Sequence, residues 1–274
     1  MRKTVTVPDW TLAVVPHAAV VAGFDARTAD EVLHCPHPVL PATVPGNFEL
    51  DLMKAGLLED LYYGENILQA QQLEDRHLWY TARFTLEKQE DHEPFLTFGG
   101  IDAAGEIFLD GNLLGETDNA LIPHTFSLKS VAPGNHEIVV HIRPAALYSR
   151  QNPVALGCSA QPYNFDSLSL RRAPYTYGWD IMPRIVTAGL WKPVTVEYKP
   201  VNRLEEIYLF TASLTGDDAV LNLSVRVEGD ALIPGELTFS VEGVCEDSRF
   251  SASEIRLPRF CSCAVLKFPT AVNG

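Results

Sequence analysis

Residues 171–191 read RRAPYTYGWDIMPRIVTAGLW. Four large rings, Tyr175, Tyr177, Trp179 and Trp191, lie among Arg171, Arg172, Asp180 and Arg184. Tyr175, Tyr177 and Trp179 are two apart, so an extended backbone would turn all three rings to one face and offer Asp180 elsewhere. Flat aromatic faces beside a carboxylate and guanidiniums suit a sugar, which presents apolar C–H faces and a rim of hydroxyls. The same residues equally suit a buried strand end in which Asp180 pairs with Arg172 or Arg184, since structural ion pairs are common.

Upstream of this stretch the pattern is that of short strands. Trp10 to Val15 is aromatic and β-branched. From Leu78 to Leu86, Tyr80, Ala82, Phe84 and Leu86 alternate with Trp79, Thr81, Arg83 and Thr85. Asp110-Gly111-Asn112 is a hairpin signal between Glu106–Leu109 and Leu113–Leu114. Pro133-Gly134-Asn135 leads into a strand over Glu137 to Arg143, and Gly99-Gly100 marks a close backbone approach. Asn47 is placed to cap one helix over Phe48 to Ala55, with Glu49 and Asp51 opposing its dipole and Gly56 ending it. This is expected to be the only substantial helix. Ala145 to Leu170 is aperiodic and reads as a long functional loop. Trp79 and Trp191 sit in strand patterns and are expected in the core. Asp102, Asp110 and Asp118 are expected to serve turns.

Lys199-Pro200 is the expected boundary between a domain at 1–198 and a second at 199–274. Beyond it Leu221, Leu223, Val225 and Val227 alternate with polar residues, as do Leu237, Phe239 and Val241. Turn signals stand at Gly216-Asp217-Asp218 and Pro234-Gly235. The fold class expected is therefore all-β, with two antiparallel sandwiches in series.

Composition bounds the partners. The 274 residues are 46% hydrophobic and 20% charged, as in a globular chain. With 21 Lys and Arg against 35 Asp and Glu, the net charge is −14, which disfavours nucleic acid and anionic lipid and fits a neutral ligand. The five cysteines are scattered and odd in number, arguing for reduced thiols. His34-Cys35-Pro36-His37 lacks a second ligand pair, so no metal and no cofactor are expected. Pro8, Asp9 and Trp10 interrupt any signal-peptide core, and Thr11 to Gly23 is too short to span a bilayer. A cytoplasmic location is the expectation.

Tyr177-Gly178-Trp179-Asp180, Pro183, Thr187-Ala188-Gly189-Leu190-Trp191 and Pro193 resemble the signature closing the N-terminal domain of family 2 glycoside hydrolases, nearest the β-mannosidase branch. Six further motifs occur upstream in the family's order. They are Val44-Pro45-Gly46, Ala55-Gly56-Leu57, Asp60 with Tyr62-Tyr63, Trp79-Tyr80, Phe98-Gly99-Gly100-Ile101-Asp102 and Gly115-Glu116-Thr117-Asp118-Asn119. The resemblance covers roughly residues 10 to 198. It implies a galactose-binding-type jelly roll followed by an immunoglobulin-like sandwich, here expected to be incomplete because about 100 residues make a full one. It also implies a retaining hydrolase acting on terminal β-linked sugars.

In that family the two catalytic carboxyls sit on a (β/α)₈ barrel that follows the sandwiches. A barrel needs about 250 residues, so no catalytic residue is assigned in this chain, and the chain alone is expected to be inactive. The resemblance gives Trp179 and Asp180 to substrate binding, beside a pocket completed by that barrel. A carbohydrate-binding module working alone is the rival reading. Ile181 and Met182 depart from the branch, which usually has Trp and Gly there, and Asn47-Phe48 replaces a small residue with His. These departures leave open another sugar, such as a β-glucosaminide or a β-galactoside.

Overall fold

The computed structural model describes residues 3–155, 157–160, 162–215, 218–229, 238–245, 248–256 and 263–269. The chain divides into two compact units, residues 2–198 and residues 199–274 together with Met1.

The strands of the first unit are β1 (Lys3–Thr6), β2 (Trp10–Pro16), β3 (Val39–Ala42), β4 (Arg76–Leu86), β5 (His92–Phe98), β6 (Gly105–Leu109), β7 (Asn112–Thr117), β8 (His124–Ser127), β9 (Gly134–Ile142) and β10 (Val194–Pro200). One sheet has the order β3-β2-β4-β9-β6-β7 and the other β1-β10-β5-β8. Between them lies the main core. The first sheet contributes Leu12, Leu78, Tyr80, Ile107, Ile138 and Val140, and the second Leu96, Phe98, Val194 and Val196. Each aliphatic side chain so buried contributes about 1.5–3 kcal/mol. The alternation along β4 sets the register: its even-numbered residues from Leu78 to Leu86 enter this core, while Trp79 joins Ala13, Val15, Phe108 and Val139 on the opposite face. The β6–β7 hairpin turns at Asp110 and Gly111, whose φ of 49° and 76° give the primed turn expected of Asp-Gly.

Helix is more widely spread than the sequence suggested. α1 (His17–Val21) and α2 (Ala29–Leu33) cover the outer face of the six-stranded sheet, where Ala26 and Val32 meet Trp79. α2 begins in a capping box, Thr28 accepting from Glu31 N while the Glu31 carboxylate accepts from Thr28 N. α3 (Phe48–Lys54) is the expected helix, with Asn47 accepting from Leu50 N and Gly56 at φ 70° just beyond it. Glu49 and Asp51 stand in its first turn as expected and are both buried; both Asp51 oxygens accept from Thr43 N. α4 (Ala145–Gln151) and a 3₁₀ segment over Pro162–Leu168 occupy the region expected to be a loop.

In the second unit β11 (Arg203–Thr215), β12 (Asp218–Glu228) and β15 (Cys263–Pro269) form one antiparallel sheet, and β13 (Thr238–Cys245) with β14 (Ser248–Arg256) a second. Leu223 and Val225, from the expected alternation, are buried against Phe239, Val241, Ala252 and Ile255. β11 is missing from the sequence reading because bulges at Leu204/Glu206 and Thr211/Ser213 break its period of two. The turn residues Gly216, Asp217, Pro234 and Gly235 lie outside the described residues. Among the described residues no helix is long and apolar enough to cross a membrane.

Candidate functional site

The stretch 171–191 is not the extended strand expected from the spacing of its rings. Pro174 opens a 3₁₀ turn over Pro174–Tyr177, and Gly178, at φ 106°, reverses the chain. Pro at the first position is pre-set for such a turn. The three rings therefore diverge. Tyr177 is fully buried among Ala103, Ala120, Ala145, Leu170 and Val186, with the guanidiniums of Arg172 and Arg184 5.3 Å and 5.4 Å from its ring centre. Tyr175 and Trp179 point out, 51% and 63% exposed.

Trp179 and Met182 exchange backbone hydrogen bonds of 3.1 Å in both directions. That closes a two-residue turn with Asp180 and Ile181 at its tip, and Ile181 is 93% exposed. The alternative, an ion pair from Asp180 to Arg172 or Arg184, does not form. Arg172 donates to Asp102 Oδ2 at 3.0 Å and to Thr187 O, while Arg184 forks onto Glu74 with two 2.7 Å bonds and approaches Asp166 at 3.6 Å. Among the described residues no side-chain hydrogen bond or ion pair engages the Asp180 carboxylate.

The segment is anchored by residues distant in sequence. Asp102 and Gly189 bridge through Asp102 N to Gly189 O at 2.9 Å, Gly46 N donates to Leu190 O, and Phe48 N donates to Ala188 O. Gly189 has φ 153°, and a Cβ there would stand 2.8 Å from Gly46 O. Gly100 fits beneath Trp191, where a Cβ would lie 2.7 Å from Cε2. Trp191 itself is 41% exposed rather than in the core, its Nε1 donating to Ala120 O at 3.0 Å. The sequence motifs around residues 46, 100, 119 and 189 are thus parts of one junction.

Below the junction Thr187 Oγ1 accepts from Asn47 Nδ2 at 3.0 Å and donates to Glu49 Oε2 at 2.7 Å. Burial raises the Glu49 pKa to about 7, the Thr187 bond acting the other way. Burial also raises Asp102, against the pull of Arg172. Above lies a cavity of about 620 Å³ whose walls include Asn47, Leu50, Asp102, Arg172, Tyr175 and Trp191. Its size and mainly apolar walls with a few polar groups are those of a small-molecule pocket. Trp179 and Asp180, the site residues expected from the resemblance, are not among the residues lining this cavity, and the sequence reading did not single out the Asp102–Arg172 pair or Glu49. Asp102 looked like a turn residue and Glu49 like a helix-end charge, and nothing local marks either as buried.

A two-sheet β-sandwich carrying a junction of aromatic rings and paired charges defines a galactose-binding-like class of domain. The glycosyl hydrolase 2 galactose-binding domain-like family matches residues 24–192, and the chain belongs to that family. This bears out the resemblance drawn from the motifs. Among curated relatives, Beta-mannosidase B of Thermothelomyces thermophilus is 30% identical over 192 residues, covering 67% of this chain and 22% of that protein. Beta-mannosidase of Mus musculus is 26% identical over 217 residues, covering 74% of this chain and 25% of that one. Beta-D-mannosidase from Dictyoglomus thermophilum superposes with TM-score 0.75 at 26% identity over 97% of this chain and 31% of the other. The chain therefore spans about a quarter of the length of the curated relatives described.

Proposed function

We propose that this chain is the N-terminal, non-catalytic part of a retaining β-mannosidase-like glycoside hydrolase, and that Trp179 and Asp180 form part of the wall of its sugar pocket. The catalytic acid and nucleophile belong to a (β/α)₈ barrel, as the resemblance implies, and not to this chain. In the same reading the second unit is an immunoglobulin-like sandwich. The single observation supporting the site is the Trp179–Met182 turn. It exposes an indole and a carboxylate together, while Arg172 and Arg184 are each paired with a different acid. An ionised carboxylate accepts from two sugar hydroxyls at once, and charge-assisted bonds are stronger than neutral ones.

The test uses the purified chain and the coding sequence after Gly274. The chain is expected to hydrolyse no aryl β-glycoside and to bind free mannose weakly or not at all, because one wall buries too little of a monosaccharide. The downstream frame is expected to encode alternating strands and helices with two strand-end glutamates. Turnover by the clean chain contradicts the proposal. So does tight polysaccharide binding together with a stop codon, which would make the chain a binding module in its own right.

A further inference from the structure

Three histidines on three different elements form a single hydrogen-bonded file across the outer face of the six-stranded sheet. His17 Nδ1 lies 3.0 Å from His77 Nε2, and His77 Nδ1 lies 2.9 Å from His141 Nε2. His141 Nδ1 lies 2.9 Å from Glu106 Oε2, whose other oxygen is 2.7 Å from Arg143. Neighbouring rings are nearly parallel, with interplanar angles of 7° and 20°, an arrangement compatible with edge-to-edge N–H···N bonds. Trp79 lies flat on His141 with centroids 4.1 Å apart. His77 and His141 are buried, and His17 reaches the surface.

The protons in this file follow from its end. An ionised Glu106 can only accept, so His141 must donate from Nδ1. A neutral His141 then accepts at Nε2 from His77 Nδ1–H, and His77 accepts at Nε2 from His17 Nδ1–H. All three rings are Nδ1–H tautomers. A proton arriving at His17 Nε2 can pass inward without any ring moving. His17 gives its Nδ1 proton to His77 Nε2, and His77 gives its Nδ1 proton to His141 Nε2. One proton enters, both histidine–histidine bonds survive with reversed polarity, His141 still donates to Glu106, and the charge rests on His141 against Glu106. A second proton would set two N–H groups face to face, so the file has room for one.

We infer that His17, His77, His141 and Glu106 form a proton relay that takes up one proton at the surface, stores it on His141 and switches the tautomers of His17 and His77 together.

The surrounding charges agree with this placement. Glu106 is held ionised, its pKa pulled down to about 2 by His141 and Arg143. The middle ring resists charge, burial and its two histidine neighbours lowering His77 to about 3. Arg143 opposes the stored charge and Glu116, opposite Glu106 on β7, supports it. Asp75 and Arg76 pair with each other at the outer end. α1 carries no acidic residue in its first turn and no basic residue in its last.

Long-range ¹H–¹⁵N spectra of the histidine rings in the intact chain test this between pH 8 and pH 5. At pH 8 all three rings should be Nδ1–H. On acidification His17 and His77 should switch to Nε2–H and His141 should become doubly protonated, with one shared midpoint. Three separate midpoints, a doubly protonated His77, or an Nε2–H His77 at pH 8 would overturn the relay. His77→Gln keeps a donor and an acceptor in the gap but cannot exchange tautomers. In that variant the proton changes on His17 and His141 should no longer occur together. If they still move together, the relay is wrong.

Discussion

Thr187 Oγ1 donates a 2.7 Å hydrogen bond to Glu49 Oε2, joining the 171–191 stretch to a helix residue 138 positions earlier. The carboxyl is buried and its pKa is raised from 4.5 to about 7. A carboxyl whose folded pKa lies above its unfolded value favours folding below the unfolded value, and that contribution is lost as pH rises through the folded one. Glu49 should therefore cost stability progressively between pH 4.5 and 7. Glu49→Gln, which still accepts from Thr187, should remove this part of the pH dependence and match or exceed the parent at pH 8. Chemical denaturation at pH 5 and pH 8 checks it; an unchanged slope between the two would show that Glu49 does not titrate there.

His77 works in the opposite direction. Its pKa is lowered from 6.5 to about 3, so the folded chain refuses a proton that the unfolded chain accepts. Its contribution is present in full above pH 6.5 and is lost as pH falls from there towards 3, at up to about 1.4 kcal/mol per pH unit. His77→Gln should flatten the acid limb of a stability–pH curve. Equal acid sensitivity in the variant and the parent would count against a buried neutral His77.

Much of the fold was legible because its signals are local. The period of two along β4 separates Tyr80 and Phe84 from Trp79, and Asp110-Gly111 and Asn47 each mark their turn or cap by chemistry confined to a few residues. The Thr28 to Glu31 capping box was equally local and was overlooked. At the candidate site the sequence singled out Trp179 and Asp180, whose part in binding is a proposal. Tyr177 turned inward because Pro174 and Gly178 bend the chain between its rings, and the extended reading ignored both. Glu49, Asp102 and the histidine file depend on contacts between residues 35 to 138 positions apart, which no spacing rule reports.

Gly100→Ala tests the junction itself. The new Cβ would meet the Trp191 ring, which is held by its bond to Ala120 O. Overpacking of this kind costs about 1–3 kcal/mol. Thermal unfolding should show the loss, and the double variant with Trp191→Ala should recover part of it. A Gly100→Ala chain as stable as the parent would mean that the ring does not sit on Gly100.

Tyr177→Ala should cost about 3–5 kcal/mol, as for other buried rings cut to Ala. Trp179→Ala, at an exposed turn, should stay within about 0.5 kcal/mol of the parent. A large loss at Trp179 and none at Tyr177 would reverse the assignment of core and surface made for the two rings.

The central claim is that Asp180 binds sugar and does not hold the fold together. The measurement is kcat/KM for an aryl β-mannoside by the full-length gene product, with and without Asp180→Ala, beside the melting temperature of each. Loss of one charge-assisted hydrogen bond in the transition state is worth about 1.5–3 kcal/mol, so kcat/KM should fall about 10- to 100-fold. The melting temperature should stay where it was, because the carboxylate has no partner among the described residues. A variant that keeps its activity but melts several degrees earlier would contradict the account and make Asp180 a structural residue.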